Sequence, residues 1–204
     1  MRSILNNIPI ALILSRLVIG IVIIVISMLN VDHYSAIAIV LLTVGLLSDI
    51  FDGIISRRLN VSTPFLRRLD SSVDQIFYIM FAVATYIQCD RFFIDYAWEL
   101  TLLLSVEGMT YLVSFIKFRK EVATHTIGAK IWTLLLFATL IQIILECQSH
   151  VLFSIFFWVG IITRLEIIGI VFTLKEWTND VPTLYHSIQL RKGKAIKRHK
   201  LFNG

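Results

Sequence analysis

The sequence predicts an all-α integral membrane protein with six transmembrane helices and both termini in the cytoplasm. Three observations lead to this prediction. The 204 residues are 57% hydrophobic and only 16% charged, whereas about a quarter of the residues in a soluble domain are charged. Six apolar runs approach the roughly 20 residues that cross a bilayer. Lys and Arg are concentrated on one side of the predicted membrane.

The six runs account for most of the chain. They cover residues 8–28, 35–56, 73–88, 96–115, 129–145 and 151–174. The third run is short unless it begins near Leu66, in which case Asp70 and Asp74 lie in its first turns. A soluble helical protein is the alternative, but these runs leave almost no polar face for water. We therefore expect a single membrane domain over residues 1–204.

The placement of charge orients the predicted helices. Arg91 is the single basic residue in the loops opposite the termini, where four acidic residues lie. Because cytoplasmic loops carry the excess of Lys and Arg, we expect both termini in the cytoplasm, with a bacterial inner membrane as the preferred location. Residues 186–204 form a basic tail. Anchoring to anionic lipid is the favoured role of this tail, and nucleic-acid binding is disfavoured because no aromatic residues alternate with the basic ones.

Two pairs of residues are candidates for contacts between helices. Glu107 and Arg164 lie near mid-depth of the fourth and sixth runs, and we predict that they pair because an unpaired charge is costly there. Cys89 and Cys147 both fall in non-cytoplasmic loops. The favoured interpretation is two unlinked small apolar residues, and the alternative is a disulfide formed in an oxidising compartment.

Four aspartates form the most informative pattern in the sequence. Asp49 and Asp52 are three residues apart at the end of the second run, and Asp70 and Asp74 are four apart at the start of the third. Each pair therefore shares a helix face. Turn-forming residues between the pairs predict a short connection, which would bring the two helices side by side with the aspartates facing each other.

Facing carboxylates in a membrane protein predict bound cations, because the carboxylates repel each other and each is costly to insert. Oxygen ligands suit Mg²⁺, Mn²⁺ or Ca²⁺ and not zinc, and bridging carboxylates favour two ions about 3.5 to 4 Å apart. Gly53 permits close approach to the backbone, and Arg57 is suited to binding phosphate. The alternative is a salt-bridge cluster with the arginines at 57, 58, 67 and 68, which the joint occurrence of these features disfavours.

This stretch resembles the signature of the CDP-alcohol phosphatidyltransferase family, D-x-x-D-G-x-x-A-R-x(8)-G-x-x-x-D-x-x-x-D. The matching positions are Asp49, Asp52, Gly53, Arg57, Asp70 and Asp74. Ser56 replaces the family's Ala, and Leu66 replaces its second Gly. In the family that Gly lies near the bound nucleotide, so Leu66 bears on nucleotide binding or on rate. The segment I-P-x-x-L-x-L-S-R at residues 8–16 and the six-helix plan are also similar to the family.

The resemblance implies a metal-dependent transferase of phospholipid biosynthesis. Such an enzyme moves a phosphatidyl group from a CDP-alcohol, for example CDP-diacylglycerol, to a hydroxyl acceptor and releases CMP. It implies two ions, Mg²⁺ or Mn²⁺, one held by Asp49, Asp52 and Asp70 and the other by Asp49, Asp70 and Asp74. Asp70 and Asp74 would be the catalytic residues, with Asp74 as the base. Gly53, Ser56 and Arg57 would bind the nucleotide, and the protein would be a homodimer.

Arg16 and Lys130 are the remaining candidates for binding substrate. Arg16 would contact a phosphate, with snorkelling to the interface as an equal alternative. Lys130 would contact the acceptor's phosphate, although anchoring of its helix at the interface is favoured. Glycerol 3-phosphate is the leading acceptor, as in a phosphatidylglycerophosphate synthase, and other alcohols stay open. The alternative function is a non-catalytic membrane protein that binds a lipid nucleotide or a divalent cation, which Leu66 keeps open.

Overall fold

The computed structural model describes residues 2–59, 61, 63–120, 126–178 and 181–194. Within these ranges the ordered secondary structure is helical, and no strand is present. The helices are α1 (Arg2–Met28), α2 (Tyr34–Arg58), α3 (Pro64–Gln88), α4 (Asp90–Asp95), α5 (Ala97–Phe118), α6 (Ile127–Glu146), α7 (Val151–Thr173) and α8 (Leu184–Arg191).

Five helices in the described part of the chain are long and apolar enough to cross a membrane, namely α1, α2, α5, α6 and α7. The predicted all-helical membrane fold is confirmed at this level. The helix α3 differs because it carries Arg67, Arg68, Asp70 and Asp74 in its first three turns. Six crossings and cytoplasmic termini therefore stay predictions.

The sequence around Thr63 explains where α3 begins. Thr63 has an extended backbone, and its hydroxyl accepts a hydrogen bond from the N–H of Leu66 at 3.1 Å. Pro64 is the first helical residue. Proline suits this position because an N–H in the first turn has no acceptor within the helix, so its absence costs no hydrogen bond. The third helix thus begins near Leu66, the earlier of its two predicted starts, and extends to Gln88.

The chain divides into two compact units. The first comprises Met1–Phe92 and Leu140–Gln148, and the second comprises Phe93–Thr139 and Ser149–Gly204. The boundary falls inside α6, so this helix contributes one segment to each unit.

In the first unit, α1 is the main neighbour of both α2 and α3. The helices α2 and α3 meet each other over a short stretch, where a Cβ added to Gly45 would lie 2.6 Å from Cε2 of the buried Phe77 ring. The second and third helices thus lie side by side over a short stretch, and α1 lies along both of them. A short connection keeps two helices close, but it does not prevent a third helix from lying along both.

A disulfide closes the end of the first unit away from the aspartates. Cys89 ends α3 and Cys147 follows α6, and their Cα atoms are 5.2 Å apart. The favoured prediction of two unlinked cysteines is wrong. Hydropathy places both residues in loops on one side, but the pairing depends on where the end of α6 packs, and a separation of 58 residues does not reveal that.

In the second unit, α5 and α7 pack together around a pair of charges. Arg164 of α7 forms a salt bridge with Glu107 of α5, and its guanidinium lies 4.2 Å from the centroid of the Trp132 ring. The predicted pairing of Glu107 with Arg164 is confirmed. Since the side chain of Arg164 is only 7% exposed, it needs the partner that Glu107 provides.

The helix α8 forms the first part of the predicted basic tail. Its first backbone N–H, at Leu184, donates to Oε1 of Glu166 at 3.2 Å. A carboxylate at a helix N-terminus satisfies a donor that lacks a partner within the helix. Residues 195–204 of the predicted tail lie outside the described residues.

Candidate active site

The four aspartates converge, as their spacing predicts. Asp49 and Asp52 lie one turn apart in α2, and Asp70 and Asp74 lie one turn apart in α3. Carboxylate oxygens of Asp49, Asp70 and Asp74 lie within 4.8 Å of one another. These three side chains are 35%, 30% and 30% exposed, whereas Asp52 is 3% exposed. The trio therefore lies where solvent can reach it, and Asp52 lies deeper in the protein.

A fully buried arginine from α1 lies among the four carboxylates. Arg16 Nη1 donates to Asp49 Oδ1 at 3.2 Å and to Asp74 Oδ1. Arg16 Nη2 donates to Asp52 Oδ2 and to Asp70 Oδ1. Each terminal nitrogen thus joins one carboxylate of α2 to one of α3. The planar guanidinium makes this possible because its donors point in fixed, diverging directions.

The burial of Arg16 corrects one of its two predicted roles. A snorkelling arginine keeps its charged end in water, but none of the Arg16 side chain is exposed. A buried guanidinium needs charged partners, and the four aspartates supply them. The predicted contact of Arg16 with a substrate phosphate stays a prediction. Residue spacing does not reveal this pairing, because the four partners lie between 33 and 58 residues away along the chain.

Ser48 of α2 is hydrogen-bonded to α1 beside the aspartates. Its Oγ donates to the carbonyl oxygen of Leu12 at 2.9 Å and lies 3.4 Å from the hydroxyl of Ser15, which itself donates to the same oxygen within α1. Ser48 directly precedes Asp49, so its hydrogen bond to α1 helps to fix the rotation of α2. Ser48 was missed from the sequence, although a hydroxyl next to an aspartate in an apolar run was a usable signal.

The remaining predicted site residues lie in two helices, α2 and α6. Gly53 and Ser56 follow Asp52 in α2, where the buried Ser56 Oγ donates to the Gly53 carbonyl at 3.2 Å. Arg57 belongs to α2, but its side chain lies outside the described part of the structure. Lys130 lies in the first turn of α6, in the second unit. The roles of these residues in binding substrate stay predictions.

Leu66 is a packing residue. It is 8% exposed and forms a cluster with Ile13 of α1 and Val73 of α3, with Leu17 and Leu69 at the edge. At the position where the family signature has glycine, this chain therefore has a side chain that attaches the start of α3 to α1.

The donor set fits a divalent cation. Asp49, Asp70 and Asp74 offer only carboxylate oxygens, which suit Mg²⁺, Mn²⁺ and Ca²⁺. These ions bind oxygen at about 2.0 to 2.6 Å, so oxygens on opposite sides of one ion are about 4 to 5 Å apart. The observed spread of 4.8 Å is within that range. The three carboxylates can therefore serve one ion after small shifts of their side chains.

Comparison with models of known families gives a match that covers most of the chain. The family model of the CDP-alcohol phosphatidyltransferases matches residues 6–166. The matched segment includes Arg16, all four aspartates, Leu66 and Lys130. Comparisons with curated proteins and with solved structures gave no match.

Proposed function

This chain belongs to the CDP-alcohol phosphatidyltransferase family, and from that premise we propose that it is a metal-dependent membrane transferase. It moves a phosphatidyl group from a CDP-alcohol such as CDP-diacylglycerol to a hydroxyl acceptor and releases CMP. The observation that carries the proposal is the convergence of the four signature aspartates, three of which have oxygens within 4.8 Å of one another. These four carboxylates exceed the single positive charge of Arg16 that pairs with them, and this excess of negative charge suits a divalent cation.

The reaction needs a proton acceptor, an oriented hydroxyl and neutralisation of the diphosphate. The acceptor oxygen bonds to the β-phosphorus while the bond from that phosphorus to the CMP oxygen breaks, and CMP leaves with the electron pair. The hydroxyl proton passes to Asp74, which is 30% exposed and so can be reached by an acceptor from the water phase. Asp70, one turn earlier in α3, orients the reacting groups.

Two divalent ions would be held by the aspartates of the proposed enzyme. Asp49, Asp52 and Asp70 would hold one ion, and Asp49, Asp70 and Asp74 would hold the other. Mg²⁺ or Mn²⁺ would supply positive charge for the diphosphate oxygens. Gly53 and Ser56 allow the nucleotide to approach α2 closely, and Arg57, Arg16 and Lys130 supply positive charge for phosphates. We propose glycerol 3-phosphate as the acceptor because a phosphorylated alcohol suits this excess of basic residues.

The length of α3 and the disulfide support a cytoplasmic site. From Asp70 to Cys89 the helix rises about 28 Å, close to the roughly 30 Å of the hydrocarbon core. This length supports the proposal that the aspartates and the disulfide of Cys89 and Cys147 lie at opposite faces of the membrane. Disulfides persist in oxidising compartments such as the bacterial periplasm. We accordingly propose a bacterial inner membrane protein, a homodimer as in the family, whose site and termini face the cytoplasm.

Release of CMP by the purified protein tests the proposal directly. The protein is incubated with CDP-diacylglycerol and a panel of acceptors, with Mg²⁺, with Mn²⁺ or with EDTA. We expect CMP with glycerol 3-phosphate and a divalent ion, and none with EDTA. Asp70→Asn and Asp74→Asn are expected to reduce kcat by at least about 100-fold, the usual scale for removing a general base. Asp95→Asn, an exposed carboxylate of α4, is the matched control.

The alternative is a non-catalytic membrane protein that binds a lipid nucleotide or a divalent cation. The packing of Leu66 at the family's glycine position is the observation that favours it. Binding of CDP-diacylglycerol without CMP release for any acceptor would support this alternative and refute the transferase. CMP release that depends on the metal and is lost in both aspartate variants would exclude it.

A further inference from the structure

Arg16 holds the position that an incoming ion needs. Every carboxylate of the trio Asp49, Asp70 and Asp74 is ion-paired with its guanidinium. The same guanidinium also pairs with Asp52, the most buried of the four acids. A cation placed within bonding distance of these oxygens would lie against the guanidinium, and two positive groups at that distance repel each other.

The charges favour a change in which divalent ions replace Arg16 beside the carboxylates and Arg16 pairs with a phosphate instead. Four carboxylates and one guanidinium leave a net charge of −3, so the cluster remains attractive to divalent ions after Arg16 is counted. Two such ions would reverse the sign of the total, and the guanidinium would then lie in a positive environment. Among the described residues, Arg16 Nε is buried without a hydrogen-bond partner. A phosphate could satisfy Nε and a terminal nitrogen together in a bidentate contact.

We propose that Arg16 is a built-in counter-cation of the aspartate cluster and competes with divalent ions for it. Without an ion, Arg16 holds α2 and α3 in register and neutralises part of their charge. An ion that enters displaces the guanidinium from the carboxylates of the trio, and the freed guanidinium is then available to a phosphate of the substrate. This inference rests on the divalent-ion site that the proposed function assumes.

Direct measurement of Mn²⁺ binding tests the competition without any turnover. The full chain, purified in detergent or nanodiscs and stripped with EDTA, is titrated with Mn²⁺, and free Mn²⁺ is followed by electron paramagnetic resonance. Arg16→Gln should bind Mn²⁺ at least about tenfold more tightly than the unaltered protein. The variant removes the repulsion between the guanidinium and the ion, and for two charges about 4 Å apart near a protein surface this repulsion corresponds to more than a tenfold change in affinity. The Mn²⁺ affinity of Arg16→Lys should lie between those of Arg16→Gln and the unaltered protein, since a single ammonium cannot join both pairs of acids.

A matched control removes the same charge elsewhere. Arg58, the last residue of α2, is exposed. Arg58→Gln should leave Mn²⁺ affinity within about twofold, because solvent and salt screen an exposed charge. The metal-free melting temperature should fall in Arg16→Gln, where the acids lose their counter-cation, and Mn²⁺ should raise it by more than in the unaltered protein.

The outcomes separate this inference from the proposed function. If the unaltered protein binds Mn²⁺ and Arg16→Gln binds it equally or less tightly, the competition is refuted while the metal-dependent transferase stands. If Arg16→Gln does not fold, Arg16→Lys decides, and unchanged or weaker binding in that variant refutes the inference. If the unaltered protein and all variants bind no Mn²⁺, both the inference and the proposed metal centre fail.

Discussion

Leu66 contributes a side chain to packing at a position where the family signature has glycine, which has no side chain. It lies one turn before Asp70, and its side chain contacts Ile13 of α1 and Val73 of α3. Its backbone N–H is also the donor that Thr63 caps. The start of α3, and with it the position of Asp70, depends on this residue.

We predict that Leu66→Gly lowers the free energy of unfolding by about 3 kcal/mol. About 1 kcal/mol comes from glycine in a helix, and about 2 from the lost burial of the side chain. Equilibrium unfolding of the purified protein measures it. Phe65→Gly is the control. Phe65 is 72% exposed, so this variant should lose mainly the stability that any residue loses when glycine replaces it in a helix. Equal losses in the two variants would show that the packing of Leu66 contributes little.

At the scale of single residues, the sequence predicted that the four aspartates come together, but it did not predict that Arg16 pairs with them. The spacings 49–52 and 70–74 place each pair of aspartates on one helix face, and this is a local property. Arg16 lies in an apolar run with nothing beside it to indicate a partner. Its contacts with α2 and α3 arise from the way three helices pack, which residue spacing within one helix does not encode.

At the scale of helices, the pair between α5 and α7 is the clearest case of a charge used for packing. Arg164 is nearly buried and lies between Glu107 and the Trp132 ring. Removal of one partner would leave the other charge without compensation in an apolar environment.

We predict that Glu107→Gln destabilises the protein by about 3 kcal/mol. This is the low end for breaking a buried pair, because Glu107 keeps 29% exposure. The double variant Glu107→Gln, Arg164→Met should recover part of the loss, since no unpaired guanidinium remains. Thermal unfolding in detergent gives the comparison. Glu99→Gln, two turns earlier in α5, should cost less than about 0.5 kcal/mol. A Glu107 variant as stable as the Glu99 variant would contradict the prediction.

Hydropathy predicted the long helices to within a few residues at most ends. It missed α4 and α8, which have six and eight residues, because short helices carry too few apolar repeats to stand out. The ambiguous start of the third helix was resolved by a cap, since Thr63 and Pro64 together begin α3 where apolar content alone did not.

At the scale of the whole molecule, the disulfide joins helix ends that are far apart in the sequence. We predict that replacing Cys89 and Cys147 with alanine lowers the free energy of unfolding by up to about 4 kcal/mol. This is the chain-entropy value for a loop of 58 residues. Unfolding is measured with and without reductant.

Reduction of the disulfide in the unaltered protein is the control for the double-alanine variant. Reduced unaltered protein should match the double-alanine variant, and the variant should not respond to reductant. Labelling with a maleimide should be low in the unaltered protein until it is reduced. Strong labelling before reduction would show that the two thiols are free, and it would also remove one support for a cytoplasmic site.

The first compact unit is discontinuous, and this has a consequence for how the protein is made. Its first part ends at Phe92, yet its last part, Leu140–Gln148, is synthesised only after a long segment of the second unit. The ribosome must therefore deliver most of the chain before the unit that holds all four aspartates can be completed. A nascent chain that stops after α5 would contain all four aspartates but would lack the end of α6 that precedes Cys147.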